Sequence, residues 1–176
     1  HAGTDTTYAG DVQVSEEGDH TVRIEYYNQS GRAEIEVSWD YLVTYSGWKG
    51  EYYSNTELRG QPVFVRDDPA IDFEWGLGGP GTLIDDFSVR WTRQENFAGG
   101  DYLFTAVADD GIRVWIDSWE VIDEWHDGVR QTYTAEFEGL SQGMHTITVE
   151  YYEHAGEAVA KFWWSPSVAQ QGGEQP

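Results

Sequence analysis

The chain has 176 residues, ten basic against 32 acidic, a formal net charge of −22 and no cysteine. That balance excludes nucleic acid and anionic membranes as partners and favours cations, while the missing thiols exclude a disulfide framework and cysteine chemistry. No apolar run reaches membrane-spanning length, so no membrane insertion is expected. Only Lys49 and Lys161 are lysines, against eight arginines. Such an acid-rich, lysine-poor surface fits screening by dense counterions, as in a saline habitat.

The chain opens on "HAGTDTTYAG", without methionine or a signal-peptide pattern, and reads as a processed or excised piece of something longer. "HTVRIEYYN" (20–28) alternates Val22, Ile24 and Tyr26 with polar residues, a strand pattern of period two. Asn28 opens the triplet Asn28-Gln29-Ser30, an N-glycosylation acceptor pattern that points to an extracellular setting. Further strands are expected at "VFVR" (63–66), "IDFEW" (71–75), "FSVRWT" (87–92), "YLFTAVA" (102–108) and "IRVWI" (112–116). "TYTAEFE" (132–138), "HTITVEYYE" (145–153) and "AVAKFWW" (158–164) complete the set. Gly-, Asp- and Pro-rich stretches separate them, and no sustained 3.6-residue period appears. The expected fold is all-β, an antiparallel sandwich or barrel, with most of the nine tryptophans in its core.

Shifted by 125 residues, the chain matches itself: residues 1–40 lie over 126–165 without a gap, with thirteen identities in forty positions. The repeat is domain-sized. Residues 1–42 therefore read as the last strands of one copy and 43–166 as a complete second copy. The polar, Gly/Gln-rich tail 167–176 reads as a linker. A few strands with one apolar face are marginal alone, so 1–42 should pack on its own domain or complete a neighbouring copy of the chain.

Within "AVADDGIRVWID" (106–117), Asp110-Gly111 is a strong hairpin-turn signal, because both residue types tolerate positive φ. That leaves Asp109 unexplained. "VIDEWHDG" (121–128) gathers Asp123, Trp125, His126 and Asp127; its repeat partner replaces Asp127 by Ala2, which argues for a structural cluster. "RDDP" (66–69) and "IDD" (84–86) read as loop and cap aspartates. Trp119 sits at an expected hairpin tip. No nucleophile elbow, HExxH pattern or phosphate loop is present, so catalysis is not expected.

"WKGEYYSNTELRGQPVFVRDDPAIDFEWG", "DDFSVRWTRQ", "GDYLFTAVADDGIRVWID", "EVIDEWHDG" and "ITVEYYEHAGEAVAKFWW" together resemble the PA-14 domain family, over about residues 47–166 in order. Residues 1–41 resemble the family's C-terminal strands. The resemblance implies a barrel-like β-sandwich in which two consecutive aspartates, joined by a cis peptide, bind Ca²⁺ at a loop tip while sugar hydroxyls complete the shell. Asp109 and Asp110 match that pair. The second ligand loop corresponds to "YYEHAGEA", where Glu153 and Glu157 are candidate metal ligands and His154 is expected to face the sugar. Trp119 is a further candidate for stacking on a sugar ring. Ca²⁺ takes six to eight oxygens, so two aspartates and a few further oxygens leave room for a vicinal diol.

The expected function is a calcium-dependent carbohydrate-binding module of a secreted tandem-repeat adhesin or cell-surface protein, with glycans as partners. The alternatives are a subunit of an extracellular filament completed through residues 1–42, and a non-catalytic accessory domain of a glycosidase.

Overall fold

Among the described residues, those of the second unit form eight β-strands: β1 (Trp48–Tyr53), β2 (Phe64–Asp68), β3 (Asp72–Gly76), β4 (Phe87–Asp109), β5 (Gly111–Ile116), β6 (Trp119–Glu124), β7 (Gln131–Glu153) and β8 (Ala158–Pro166). The structure is a computed structural model describing Tyr8 and residues 21–31, 33–38 and 44–167. It divides the chain into two units, His1–Leu42 and Val43–Pro176. The expected tail lies, from residue 168 on, outside the described residues.

Where the sequence reading has separate strands at 87–92 and 102–108, the structure has one, β4; likewise 132–138 and 145–153 are both parts of β7. Each long strand serves two layers. Phe87↔Glu153 through Ala98↔Gln142 pairs the first half of β4 with the second half of β7, and Tyr102↔Phe137 through Ala108↔Gln131 pairs the other halves. The first layer runs β2-β1-β4-β7-β5-β6; in the second, β3 pairs with β8 and β8 with the later half of β4. Among the described residues all ladders are antiparallel. The change of layer falls at Gly99 (φ 83°), Gly100 (φ 104°) and Gly139 (φ 66°), left-handed conformations that a Cβ disfavours, with a register shift between Gly100 and Tyr102. Glycine bends a strand here without ending it, which apolar periodicity does not reveal.

The inward faces form an all-β sandwich core around Phe87, Trp91, Phe104, Ile112, Val149 and Tyr151, each fully buried. Each such side chain contributes about 1.5–3 kcal/mol of burial free energy. Trp48 and Trp91 belong to this core, Trp75 and Trp164 pack against it, and Trp119 and Trp163 are exposed. On the outer face of the first layer the register sets Glu51, Arg90, Glu150, Arg113 and Asp123 in one row across five strands, alternating in sign. Glu150, the most enclosed of them, accepts from Arg90 Nε at 2.8 Å and Arg113 Nη2 at 2.6 Å. Opposite charges on facing positions favour this register over its neighbours.

The "RDDP" aspartates divide their work. Asp67 accepts the backbone N–H groups of Ser46 and Gly47, both at 2.8 Å, as a loop cap. Asp68 is buried beneath β1, where its Oδ2 accepts from Tyr52 Oη at 2.6 Å and Trp91 Nε1 at 2.8 Å. Arg66 Nε closes the network on Oδ1.

His145 links β7 to the β5–β6 hairpin: Nδ1 lies 2.7 Å from Asp117 Oδ2 and Nε2 3.0 Å from the Ser141 carbonyl. With both ring nitrogens facing acceptors, the hydrogen bond to Asp117 raises the imidazole above its ordinary pKa. A folded value above the unfolded one contributes stability that is fully present below the unfolded pKa and is lost as pH rises through the folded one. His145 therefore adds to a decline in melting temperature from pH 6 toward pH 8, in the same direction as the raised Glu153 carboxyl, and Asp117→Asn should make that slope shallower without abolishing it. An unchanged slope in the variant, read by calorimetry, would remove His145 as a source of it.

In the first unit the described residues 21–31 and 33–38 carry no strand ladder, contrary to the strand expected at 20–28. Under the 125-residue shift, 21–28 corresponds to 146–153, which pairs with β4 and β5, and 33–38 to 158–163, which pairs with β3 and β4. Residues 1–40 match 126–165 and contain no counterpart of those partners. Strand pattern without a pairing partner does not make a strand.

Candidate metal centre

Asp109 ends β4 and Gly111 begins β5, yet the two strands do not form a hairpin. Both flank β7, through Phe87↔Glu153 and Gly111↔Tyr152, and the chain passes at Asp110 from the second layer to the first. Positive φ is found at neither Asp110 nor Gly111, so the turn expectation is corrected; the Asp109–Asp110 peptide bond is cis. Gly111 has a different reason. A Cβ there would lie 2.2 Å from Tyr152 Cε1, so only glycine lets that ring lie against the crossing.

The crossing brings Asp109 and Asp110 to Glu153 at the end of β7. One carboxylate oxygen from each lies within 4.8 Å of the other two, and all three residues are buried. Backbone donors aim the two aspartates: Arg130 N–H reaches Asp109 Oδ2 at 2.9 Å, Gly128 N–H reaches Asp110 Oδ1 at 2.8 Å, and His154 N–H reaches Asp110 Oδ2 at 3.0 Å. Tyr151 Oη donates to the Asp109 carbonyl oxygen and lies 3.1 Å from Glu153 Oε2. Glu153 Oε1 is buried without a hydrogen-bond partner. Burial, then the neighbouring Asp110 charge, pushes the Glu153 carboxyl up to about 8. Burial likewise raises Asp109, with Asp110 adding to the shift.

Three buried carboxylates converging on one point, one with an orphaned oxygen, fit a hard divalent cation. The ion would be held by Asp109, Asp110 and Glu153, and it would displace the proton that burial keeps on Glu153. Glu157 is exposed in the 154–157 loop and outside this trio, although its charge is felt at Asp109. The His154 ring is directed to Asp127, with Nδ1 at 3.1 Å from Oδ2, and remains exposed at the rim. Asn28, the expected glycosylation site, is exposed and aligns with Glu153 under the 125-residue shift.

Trp119 is 67% exposed at a hairpin tip, where it pairs with Ile116 at the far end of β5 from Gly111. Five residues of strand separate the two ends, about 16 Å. The tryptophan beside the centre is Trp125. Its ring lies 4.7 Å from that of Tyr152 and 4.0 Å from the Arg113 guanidinium. Asp127 also belongs here, accepting from Tyr152 Oη at 2.8 Å. The comparison with Ala2 hid it, because the first unit holds no counterpart of Asp109 and Asp110 for such a residue to serve.

Fold and centre define an antiparallel sandwich whose carboxylate cluster lies where the chain changes layer. The chain belongs to the PA14 domain family, whose sequence profile matches residues 44–174. It is 39% identical over 131 residues to the anti-sigma-I factor RsgI3 of Acetivibrio thermocellus, a match covering 73% of this chain and 20% of that protein. The chain thus spans about a fifth of that relative's length. A solved anti-sigma factor domain-containing protein superposes with TM-score 0.64 at 38% identity, covering 70% of this chain and 44% of that one. The PA14 sugar-binding domain of an RTX adhesin shares the fold, with TM-score 0.58 at 21% identity over 69% of this chain and 90% of that domain.

Proposed function

We propose that the domain is a calcium-dependent, non-catalytic carbohydrate-binding module of an extracellular or cell-surface protein. The observation that carries this reading is the buried trio Asp109, Asp110 and Glu153 with an orphaned Glu153 oxygen. Calcium suits the site better than magnesium, because it accepts more oxygens and less regular geometry and gives up water more readily. Three carboxylates leave coordination positions to which adjacent sugar hydroxyls can bind. The RTX adhesin relative is a sugar-binding domain by name, which supports glycans as the partner.

The similarity to anti-sigma factors at 38% and 39% identity favours a sensing protein over an adhesin as the setting. In that reading the module reports an extracellular polysaccharide to the rest of its chain. Calorimetric titration with calcium and magnesium, followed by a glycan array in calcium and in chelator, tests the proposal. Calcium binding with chelator-sensitive glycan retention is expected. Absence of calcium binding refutes the metal site, and calcium binding with a blank array reduces the metal to a structural role.

A further inference from the structure

The loop between β6 and β7 holds both aspartates by its backbone, through Gly128 N–H and Arg130 N–H. What holds that loop is therefore what sets the geometry of the centre. Its first residue, Trp125, packs between the Tyr152 ring and the Arg113 guanidinium. Its middle residue, Asp127, accepts from Tyr152 Oη at 2.8 Å and meets His154 Nδ1 at 3.1 Å. Tyr152 and His154 flank Glu153 on the chain, and the His154 N–H holds Asp110. The Tyr152 ring also rests on Gly111, directly after the aspartates. One carboxylate outside the trio thus joins the loop whose N–H groups hold the two aspartates to the end of β7 that carries Glu153.

Resting on the cation reading above, we propose that Asp127, seated on the Tyr152 hydroxyl and His154, is a positioning residue for the Asp109–Asp110–Glu153 centre. It is not a ligand. It straps the 125–130 loop to the end of β7, so that the N–H groups of Gly128 and Arg130 meet the two aspartates before a cation arrives. A cation then enters a centre already assembled and spends none of its binding free energy on ordering the loop. Outer partners of this kind commonly alter metal affinity by about ten- to a hundredfold. Tyr152 is the charge-free half of the strap, since its hydroxyl can be removed without altering the field at the cation.

The test is calcium titration calorimetry on the full chain for the unaltered protein, Asp127→Ala, Tyr152→Phe, the double variant and Asp86→Ala. Asp86 presents a carboxylate 3.8 Å from His154 Nε2 and has no bond to Tyr152, so it controls for the loss of a nearby negative charge. Terbium luminescence lifetimes in H₂O and D₂O count the waters on the bound ion. Expected are a loss of calcium affinity of about tenfold or more in Asp127→Ala, a several-fold loss in Tyr152→Phe, and a double variant no weaker than the weaker single. The water count should stay unchanged, and amide exchange at Gly128 and Arg130 should quicken in both single variants without calcium. An Asp86→Ala loss equal to that of Asp127→Ala, with Tyr152→Phe unaffected, overturns the strap in favour of simple charge. One extra water on terbium in Asp127→Ala overturns it in favour of a direct ligand. Unaltered affinity in both single variants overturns it outright while leaving the cation site standing, whereas an unaltered protein that binds no calcium removes the site and the strap together. Should Asp127→Ala fail to fold, Tyr152→Phe carries the test alone.

Discussion

Asp110→Ala should abolish the rise in melting temperature that calcium gives the unaltered protein, and with it any calcium-dependent retention on polysaccharide. At a calcium concentration one hundred times the dissociation constant, the unaltered protein gains about 2.7 kcal/mol from binding; the variant should gain none. The carboxylate of Asp110 is one of three that converge within 4.8 Å, and it is the one fixed by two backbone N–H groups. Glu153→Gln separates charge from shape. Burial keeps a proton on Glu153 in the absence of a cation, so the amide resembles that state and should leave calcium-free stability close to the original. It should weaken calcium binding all the same, because the proton a cation displaces from the acid cannot be displaced from an amide. Differential scanning calorimetry in calcium and in chelator reads both variants. A full calcium shift in Asp110→Ala would refute the centre.

The second large effect lies away from the centre. Asp68→Ala should cost about 3–5 kcal/mol of unfolding free energy. The substitution strips the acceptor from Tyr52 Oη and Trp91 Nε1, both fully enclosed in the core, and the partner from the half-exposed Arg66. Repacking cannot recover this, because the cavity is lined by donors that no apolar group satisfies. Gly50 belongs to the same arrangement: a Cβ there would lie 2.4 Å from Asp68 Oδ2. Asp68→Asn should cost less, since an amide oxygen in the place of Oδ2 still accepts both bonds and only the contact of Arg66 with Oδ1 is lost. Urea denaturation measures both; a loss under about 1 kcal/mol for the alanine variant would mean the network contributes little net stability.

Alternation along the chain made the all-β class and most of the strand positions legible, because a residue's side of a half-buried strand is local information. The adjacent Asp109 and Asp110 were legible as a pair for a similar reason, being neighbours in a motif whose other parts follow in order. The reason for Gly111 was not legible: a sequence offers positive φ as the usual explanation, whereas the space is taken by Tyr152, 41 residues further on. The distance of Trp119 from the aspartates was not legible either, because the β5–β6 hairpin carries it to the end of β5 opposite Gly111. The comparison of Asp127 with Ala2 gives it a structural reading but not its partners Tyr152 and His154, because the first unit has no counterpart of Asp109 and Asp110.

What the sequence by itself determined is the alternation that assigns each residue to core or solvent, the repeat, and the pair of carboxylates. Those depend on neighbours two residues apart or on a direct match of letters. Only the tertiary structure decided that β4 and β7 each run through both layers, that the chain crosses between layers at Asp110, that of the two candidate glutamates Glu153 and not Glu157 joins the aspartates, and that Asp127 is bonded to the residues on either side of Glu153. Strand register sets these meetings. It is fixed by packing and charge between segments far apart in the chain, which no local pattern encodes.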